Sequence, residues 1–303
     1  MILVTGCLGY IGKRVVKTLL RNGYKVRGLV MKKQREEAHE LETLGMEVFI
    51  GDLFDEDSLT GIGEDIDIVF HLAGLHSSIK NMMKLYVDGT ESLFHALECY
   101  PVKLFIFSSN ASVHGTYLTN NATTTEESEP LILEHPFAEI TKNSEEVIQR
   151  EAKRNHIKYI ILRIGEVYGP DEYNLLNKTH YLFSMLGNGE NFVSLIHIDD
   201  VMNVLMLSMN GLNEGIYNVC DSKPCVQKDL FQYAAKLSNK YEPKWIGNED
   251  LEERILRSIH GLKMLSIRMS NDKLCKDTGY VFCYPSYKEG LNSLLISESQ
   301  VAK

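Results

Sequence analysis

The sequence lacks the patterns that would place the protein at a membrane, on nucleic acid or around a metal. No apolar run reaches the roughly 18 residues that a helix needs to cross a bilayer. A net charge of −9 and a pI near 5.6 argue against a broad basic face of the kind that binds nucleic acid or anionic lipid. The six cysteines include no C-x-x-C pair and no histidine partners at zinc spacing. We therefore expect no membrane, no nucleic acid and no metal among the ligands.

Export signals and repetitive architecture are missing too. Met1 leads directly into the apolar run "ILVTG", so no cleaved leader is expected. Low-complexity tracts and internal repeats are absent. Together with cysteines that show no pairing pattern, these features predict reduced thiols in a cytoplasmic protein. A chain of 303 residues is long enough for one large domain or two coupled ones.

The first half of the chain alternates short apolar runs with segments of helical periodicity. Strands are predicted over 2–6, 25–30, 47–53, 67–74, 103–109 and 158–165, and helices over 13–23, 33–45, 80–98 and 138–154. Strands joined by helical crossovers pair in parallel. We therefore predict an α/β fold with a Rossmann-type doubly wound parallel sheet, in a nucleotide-binding domain over residues 1–170.

After residue 170 the pattern becomes mostly helical. Helices are predicted near 175–187, 200–211, 227–239, 249–262 and 285–296, and short strands over 192–198 and 216–219. We expect residues 171–303 to form a smaller, mainly helical C-terminal substrate lobe. The strand over 216–219 is expected to return to the main sheet.

The most specific motif is the octapeptide "TGCLGYIG" near the N-terminus, which follows a predicted strand and opens a predicted helix. Gly6 permits the tight turn, Gly9 lets the backbone approach a pyrophosphate, and Gly12 lets the helix pack close to the sheet. Amides at the helix N-terminus, including those of Tyr10 and Ile11, favour phosphate groups. The motif in this context predicts a dinucleotide site.

This motif and an ordered set of later segments resemble the extended short-chain dehydrogenase/reductase superfamily, in its NAD-dependent epimerase/dehydratase branch. The matching segments are "GDL" (51–53), "HLAG" (71–74), "VDGT" (87–90), "ILRIGEVYGP" (161–170), "HIDDV" (197–201), "YNV" (217–219) and "TGY" (278–280). The resemblance covers nearly the whole chain and implies an NAD(P)-binding protein. It implies adenine-side contacts from Asp52 and Leu53. It also implies that Leu72, Ala73 and Gly74 line the cofactor.

The choice between NADP and NAD depends on the end of the second predicted strand. An acidic residue there would hold the ribose hydroxyls of NAD and repel the extra phosphate of NADP. The chain has Val30 at this position, followed by Met31, Lys32 and Lys33. Two cations and no carboxylate favour NADP(H). The arginine with which the family binds that phosphate is missing, and the lysines could simply open a helix, so NAD is the alternative.

The resemblance implies a Ser or Thr, a Tyr and a Lys that together move a proton to or from the substrate. We aligned these positions on the strand end "SSNASVHG" and on Glu145. They then hold Asn110, Phe137 and Thr141. A one-residue slip that made Lys142 the lysine would rotate it about 100° around the helix, away from the cofactor. We therefore predict a degenerate active site without the family's proton-transfer set.

Other side chains could replace the missing set. His114 is the first candidate, since imidazole titrates near neutrality and its segment borders the expected substrate pocket. Glu166 is the second, since a desolvated carboxylate can act as a base, and Asn110 supplies a further polar group. His76, just after "HLAG", is a further candidate. The alternative for His114 is a hydrogen-bonded wall residue, and for His76 it is an ordinary loop residue. The position of a supporting family asparagine holds Tyr86.

The substrate lobe gives one clue to the ligand. Nucleotide-sugar members usually carry an Arg just before the "HVDD"-like segment, but "NFVSLIHIDD" has none. This favours a small, more apolar substrate that is not a nucleotide sugar, although a buried core strand explains the same residues.

These features predict an atypical NAD(P)-dependent oxidoreductase or epimerase/dehydratase-like enzyme with non-standard acid/base residues. One alternative is a non-catalytic NAD(P)-binding protein, such as a redox sensor or an accessory subunit. Another is a non-redox lyase or cyclase that reuses the fold. The resemblance also implies a homodimer through the helices near 80–98 and 138–154.

Overall fold

A seven-stranded sheet with helices along its faces organises the fold. Our computed structural model describes residues 1–74, 78–115, 122–129, 136–176, 185–186, 188–239, 245–246 and 265–301. The described strands are Ile2–Thr5 (β1), Val26–Val30 (β2), Glu47–Ile50 (β3), Ile68–His71 (β4), Leu104–Asn110 (β5), Lys158–Ile164 (β6), Glu166–Tyr168 (β7), Met185–Leu186 (β8), Phe192–Val193 (β9), Leu195–His197 (β10), Gly215–Val219 (β11), Cys225–Val226 (β12) and Trp245–Ile246 (β13).

The helices are of α type, with a few short turns of 3-10 type and one of π type. The α-helices in the described residues are Tyr10–Arg21 (α1), His39–Thr43 (α2), Ile79–Met83 (α3), Gly89–Leu97 (α4), Pro136–Arg154 (α5), Ile198–Ser208 (α6), Gln227–Leu237 (α7), Asp272–Thr278 (α8) and Tyr287–Val301 (α9). The 3-10 turns are Lys32–Gln34, Glu56–Leu59, Ala111–His114 and Asp171–Tyr173, and the π turn is Lys84–Asp88.

The strand order of the sheet is β11-β6-β5-β4-β1-β2-β3. The pairs β1–β2, β1–β4, β2–β3 and β4–β5 are all parallel, so the predicted doubly wound parallel sheet is confirmed. On one side of the sheet β2 and β3 follow β1, and on the other side β5, β6 and β11 follow β4, so the strand order reverses between β1 and β4. At such a switch point the carboxyl ends of two neighbouring strands leave a crevice, where α/β proteins bind their ligands.

The central strands are continuous apolar runs because helices cover both faces of the sheet. Every residue of β1 and β2 is buried, whereas the edge strand β3 exposes Glu47 and Ile50. Side chains from the sheet and from α4 meet in one core, in which the rings of Phe94 and Phe105 stack with centroids 4.4 Å apart. This core fixes the strand ends that matter for the site.

The chain divides into two compact units, and it passes between them several times. The first unit contains Met1–Ser109, Ile140–Leu162 and Leu205–Ile216, and the second contains Asn110–Glu139, Arg163–Val204 and Tyr217–Lys303. The second unit has its own apolar core around Tyr168, Leu195 and Leu291. The division at residue 170 into a nucleotide-binding domain and a substrate lobe stays a prediction, because compactness alone assigns no role.

Several helices differ from the sequence-based expectation. The helix predicted over 33–45 is wrong in extent, because only α2 is an α-helix there. Of the residues around it, only Ala38 and Leu41 are buried, which is too short an apolar face to hold a longer helix. The helix predicted over 249–262 lies outside the described residues, as does most of 175–187, where Met185–Leu186 is a strand. Helix α8, which ends at Gly279 with φ of 70°, was not predicted.

The helices and thiols bear on the membrane and metal classes that the composition argues against. In the part of the chain that the structure describes, no helix is both long enough and apolar enough to cross a membrane. All six cysteines are unpaired, with Cys7 and Cys220 buried. Burial raises the pKa of the Cys7 thiol to about 12, so this thiol is not a reactive thiolate near neutral pH.

Candidate functional site

The glycine-rich turn between β1 and α1 is closed by backbone contacts. Gly6 has φ of 65°, and a Cβ there would lie 2.5 Å from the carbonyl oxygen of Leu72. A Cβ at Gly12 would lie 2.0 Å from the carbonyl oxygen of Gly6, because α1 packs directly on the turn. The same oxygen would be 3.3 Å from a Cβ at Gly9, a milder contact. The turn therefore requires glycine at positions 6 and 12, and it touches the segment that follows β4.

The N-terminus of α1 is suited to an anion. Gly9 caps the helix without a side-chain acceptor, and the first turn has no acidic residue. The guanidinium of Arg14 lies 3.9 Å from the ring centroid of Tyr10 and donates to its carbonyl oxygen at 3.0 Å. The amides of Tyr10 and Ile11 lie at the positive end of the helix dipole, where phosphate groups are stabilised.

The end of β2 has the residues that decide between NAD and NADP. Val30 is buried, and Lys32 and Lys33 are exposed in the 3-10 turn that follows. Arg35, slightly further along, is bonded to Glu42 with Nη2 at 2.7 Å from Oε1. Since no carboxylate ends β2, nothing at this point would repel the extra phosphate of NADP.

Asp52 and Leu53 lie in a loop after β3 that is held from two sides. Oδ1 of Asp52 accepts from the amide of Phe54 at 3.0 Å, and the Asp52 amide donates to Oγ of Ser58 at 2.9 Å. Leu53 is buried, and a Cβ at Gly89 would lie 3.1 Å from its Cβ. The glycine of "VDGT" therefore seats α4 directly against this loop.

A buried chain of hydrogen bonds joins the end of β4 to β1 and to α4. Oγ1 of Thr5 lies 2.8 Å from Nδ1 of His71, and Nε2 of His71 lies 3.1 Å from Oγ1 of Thr90. Thr90 donates to the carbonyl oxygen of Tyr86 at 2.7 Å, so it accepts from His71, whose proton is on Nε2. Thr5 then donates to Nδ1 and accepts from the amide of Ala73 at 3.3 Å. Burial lowers the pKa of His71 to about 4, which keeps the ring neutral.

Glu145 fixes the rotation of α5 about its axis. Its Oε1 accepts from Oγ of Ser109 at 2.5 Å, at the carboxyl end of β5, and both side chains are buried. Thr141 lies one turn earlier on the same face and is only 3% exposed. The side chain of Lys142 is 33% exposed, and its Nζ lies 3.2 Å from Oε1 of Glu146. Helix α5 therefore buries Thr141 and directs Lys142 to a surface ion pair.

In the second unit, Asn110 caps the turn that ends at His114. Asn110 is exposed, and its Oδ1 accepts from the amide of Ser112 at 2.8 Å. Phe137, near the start of α5, is 4% exposed. Asn110 is thus accessible but partly used as a cap, and Phe137 offers an apolar ring without an ionisable group.

His114 is buried in a cluster of polar groups. Its Nε2 lies 3.2 Å from Nη1 of Arg163 and 3.2 Å from Oδ1 of Asn218. A guanidinium can only donate, so Nε2 accepts from Arg163 and the proton is on Nδ1; Oδ1 of Asn218 also only accepts, so it makes no hydrogen bond to Nε2 in this tautomer. Nδ1 has no hydrogen-bond partner among the described residues. Burial and the Arg163 charge lower the pKa of His114 to about 3, which differs from the expectation that this ring titrates near neutrality.

Sequence reasoning missed the partners of His114. Glu126 accepts from the amide of Asn218 at 2.7 Å, and its carbonyl oxygen lies 3.5 Å from Nη1 of Arg163. Arg163 and Asn218 belong to the matching segments "ILRIGEVYGP" and "YNV", but nothing in those segments says that they meet at one histidine. His76, the other histidine considered, lies outside the described residues.

Two further charged side chains of the second unit, those of Glu166 and Arg268, lie beside short strands. Glu166 is exposed, and its amide donates to the carbonyl oxygen of Ser194 at 2.8 Å, where β7 pairs with β10. The guanidinium of Arg268 lies 5.0 Å from the ring centroid of Phe192. No sequence motif indicates this cation, because Arg268 lies far along the chain from the strand β9 that contains Phe192.

A glycine turn at the switch point of a doubly wound sheet defines a Rossmann-type nucleotide-binding fold. Residues 2–220 match the model of the NAD dependent epimerase/dehydratase family, and the chain belongs to that family. It is 25% identical over 267 residues to the sterol-4-alpha-carboxylate 3-dehydrogenase, decarboxylating, of Dictyostelium discoideum, over 82% of this chain and 78% of that protein.

Solved structures share the fold over the full length. UDP-glucose 4-epimerase of Thermotoga maritima, solved with UDP-glucose, has a TM-score of 0.78 at 23% identity, over 100% of this chain and 99% of that one. UDP-glucuronic acid 4-epimerase of Bacillus cereus, solved with UDP-glucuronic acid and NAD, has a TM-score of 0.78 at 21% identity, over 99% of this chain and 99% of that one. At these identities the likeness concerns the fold alone.

Proposed function

We propose that the protein is an atypical NAD(P)-dependent oxidoreductase or epimerase/dehydratase-like enzyme. The observation that carries the proposal is the glycine turn, in which a Cβ at Gly6 or Gly12 would lie within 2.5 Å of a carbonyl oxygen. Such a turn, at the switch point and ahead of a helix without a side-chain cap, is suited to a pyrophosphate. Membership of the family supports the same function. A nicotinamide cofactor would supply hydride exchange.

The residues of the first unit fit such a cofactor in three places. The amides after Gly9, those of Tyr10 and Ile11, would hold the pyrophosphate. Asp52 and Leu53 would contact the adenosine half. The segment Leu72, Ala73 and Gly74 would line the nicotinamide half. Each group is held by the backbone contacts and hydrogen bonds described above, so the site is formed before the ligand binds.

Proton transfer in this enzyme would depend on the second unit. Since the aligned Tyr and Lys positions hold Phe137 and Thr141, neither can give or take a proton near neutral pH. A neutral His114 would donate a hydrogen bond from Nδ1 to a substrate oxygen rather than act as a titrating acid. Glu166 stays the proposed base as an accessible carboxylate, although the desolvation expected for it is wrong because its side chain is exposed, and Asn110 is a further donor.

The proposed substrate is a small, more apolar molecule that is not a nucleotide sugar. No arginine occurs in "NFVSLIHIDD", and a relative of this chain is named for a sterol carboxylate. A nucleotide sugar is the second candidate, because the guanidinium of Arg268 beside Phe192 could meet a diphosphate. The proposed assembly is a homodimer through α3–α4 and α5, which light scattering at micromolar concentration would test.

The decisive experiment titrates the purified protein with NADH and NADPH and follows cofactor fluorescence. Turnover is then measured in two arms: NAD+ or NADP+ with a hydroxysterol acid, whose oxidation reduces the cofactor and is followed by absorbance, and NAD+ with UDP-glucose, whose redox-neutral epimerisation is followed by chromatography of the sugar product. Gly9→Asp is the control variant, because it places a carboxylate where phosphate is expected and should abolish binding. Binding without turnover on either arm would favour a non-catalytic binder, and absence of binding at millimolar cofactor would contradict the proposal.

Cofactor preference has its own test in the double replacement Lys32→Ala and Lys33→Ala. If these lysines contact the extra phosphate, NADPH binding should weaken by roughly 5- to 10-fold and NADH binding by less than about twofold. Arg35→Ala is the matched control, since it removes a neighbouring cation that is already paired with Glu42. An equal loss for both cofactors would remove the basis for preferring NADP(H).

A further inference from the structure

A cleft of about 540 Å³ lies between α7 and the first turn of α9, both in the second unit. Its volume is in the range of sites that take small molecules, roughly 300–1,000 Å³. The candidate residues Asn110, His114 and Glu166 do not line this cleft, and the residues expected to contact the cofactor belong to the first unit. The cleft is therefore a separate feature from the site described above.

Helix α7 lines the cleft with one face. Asp229, Tyr233 and Lys236 follow one another at spacings of four and three residues, which places them on the same side of the helix. Asp229 and Lys236 are separated by two helical turns, about 10 Å along the axis. The α7 wall of the cleft thus has a carboxylate at one end, an ammonium at the other and an aromatic ring between them.

Two tyrosine rings form the apolar part of the cleft and are fixed in place. The rings of Tyr233 and Tyr287 meet edge to face, with centroids 5.6 Å apart and planes at 88°. Tyr287 is 7% exposed and belongs to the apolar core of the second unit, and the Tyr233 hydroxyl accepts from Nδ2 of Asn292 at 3.0 Å. A flat ring that stacks on one tyrosine would meet the edge of the other, which is a favourable arrangement for aromatic groups.

Two ammonium groups line the same cleft. Lys236 and Lys288 are both exposed, and neither has an ion-pair partner in the part of the chain that the structure describes. Nζ of Lys288 lies 5.8 Å and 5.9 Å from the ring centroids of Tyr233 and Tyr287, near the outer limit of about 6 Å for a cation–π contact. The lysines are therefore available for a charge-assisted hydrogen bond to an anion.

We propose that the cleft between α7 and α9 binds a small molecule in which a flat ring carries an anionic group, such as an aromatic carboxylate. The ring lies against the two tyrosines, and the anionic group meets Lys236 and Lys288. The Tyr233 hydroxyl accepts from Asn292, so its own proton can be donated to the ligand. Asp229 sets the orientation, because its carboxylate repels an anion at its own end of α7.

The test uses 2-naphthoate as the probe with the full-length protein. Its dissociation constant is measured by ligand-observed NMR at low ionic strength and is expected to be roughly 0.1–1 mM, as for a fragment-sized ligand. Two further probes each keep one part of the chemistry: 2-naphthol has the ring without the charge, and sulfate has the charge without the ring. We expect 2-naphthol to bind at least about fivefold more weakly, and sulfate at equal concentration not to displace 2-naphthoate.

Substitutions locate the binding. Lys236→Gln and Lys288→Gln should each weaken 2-naphthoate by roughly 3- to 5-fold, since each removes one ammonium from an exposed pair with the probe. Lys228→Gln is the matched control, because Lys228 is an exposed lysine of the same helix that does not line the cleft. It should change the dissociation constant by less than about 1.5-fold. All three side chains are exposed, so none of the substitutions should disturb folding.

Three results would overturn the proposal. Unchanged affinity in both Lys236→Gln and Lys288→Gln would mean that 2-naphthoate binds elsewhere on the protein. An equal loss in Lys228→Gln would reduce the effect to a general attraction between charges. Equal binding of 2-naphthol and 2-naphthoate would remove the role of the anionic group. None of these results bears on the proposed oxidoreductase function, because no measurement involves the cofactor.

Discussion

Each compact unit buries a histidine, and the two rings have opposite hydrogen-bond surroundings. In the first unit, both nitrogens of His71 have partners in Thr5 and Thr90. In the second unit, Nε2 of His114 meets Arg163, but Nδ1 has no partner among the described residues. A complete buried network makes a structure rigid and unique, whereas an incomplete one is costly unless a ligand or water completes it. The comparison separates a unit whose buried histidine is fully hydrogen-bonded from one whose buried histidine keeps a nitrogen without a partner among the described residues.

Other buried polar atoms follow the same division. In the described ranges, several atoms of the second unit lack a hydrogen-bond partner: Nδ2 of Asn218, Oη of Tyr168, Nε2 of His197 and Oδ2 of Asp221. In the described part of the first unit, the corresponding atom is Oε2 of Glu151, which still lies 3.6 Å from Nη1 of Arg154. Among the described residues, buried polar atoms without a hydrogen-bond partner are therefore concentrated in the second unit.

The largest expected effect tests the rigidity of the first unit. Gly12→Ala should lower the free energy of unfolding by about 3 kcal/mol or more, because its Cβ would lie 2.0 Å from a backbone oxygen that cannot move independently. Gly9→Ala is the matched control, with the same oxygen at 3.3 Å, and should cost less than about 1 kcal/mol. Chemical denaturation measures both. A Gly12→Ala protein as stable as Gly9→Ala would show that the turn is not rigid.

The second prediction compares the two histidines directly. His71→Phe should destabilise the protein by about 2–4 kcal/mol, since it leaves the hydroxyls of Thr5 and Thr90 without their buried partner. His114→Phe should cost about 1–2 kcal/mol, because it removes a partner of Arg163 but also an unpartnered Nδ1. Thr90→Val removes the hydroxyl that bonds His71 and the Tyr86 carbonyl oxygen but keeps the bond between His71 and Thr5, so its loss of stability should lie between those of the two histidine variants. If His114→Phe costs as much as His71→Phe, the contrast between the units fails.

Whether the sequence alone predicts a feature depends on how far apart along the chain the interacting residues lie. The glycine turn was predicted, because Gly6 and Gly12 act within one strand–turn–helix segment. The cluster at His114 was not, since Arg163 and Asn218 are 49 and 104 residues away along the chain. The π turn at Tyr86 was missed for another reason. The apolar periodicity over 80–98 predicts a helix. It does not reveal the one extra residue of the π turn, which changes the direction of the Tyr86 side chain.

The third prediction concerns pH, to which the two units respond in opposite directions. Burial, with the charges of Glu289 and Asp200, raises the pKa of Asp221 from 3.8 to about 8 in the folded protein. The folded state thus binds this proton more tightly than the unfolded state, so stability is lost as the pH rises from about 4 to about 8. His71, whose pKa is lowered from 6.5 to about 4, acts the other way and loses stability as the pH falls through that range.

The window between pH 7 and 8.5 is dominated by Asp221, because His71 is neutral there in the folded protein and largely neutral in the unfolded chain. The melting temperature of the unmodified protein should fall across this window, by the equivalent of about 1–2 kcal/mol. Asp221→Asn keeps an Oδ1 acceptor for the Lys223 amide and removes the titration, so its melting temperature should stay flat. A parallel fall in both proteins would assign the pH response to other groups.

The smallest expected effect tests whether the first unit is free of a catalytic cation. The contrast between the units requires that α5 bury Thr141 and leave Lys142 on the surface. Lys142→Ala removes an exposed i,i+4 pair with Glu146, so the free energy of unfolding should change by less than about 0.5 kcal/mol. NAD(P)H affinity and any turnover should not change, whereas Glu166→Gln should lower turnover by roughly 10²–10⁴-fold. A comparable loss of turnover in Lys142→Ala would mean that Lys142 acts as the family's lysine. The alignment that places Phe137 and Thr141 at the Tyr and Lys positions would then be wrong, and the first unit would contain part of the chemistry as well as the proposed cofactor site.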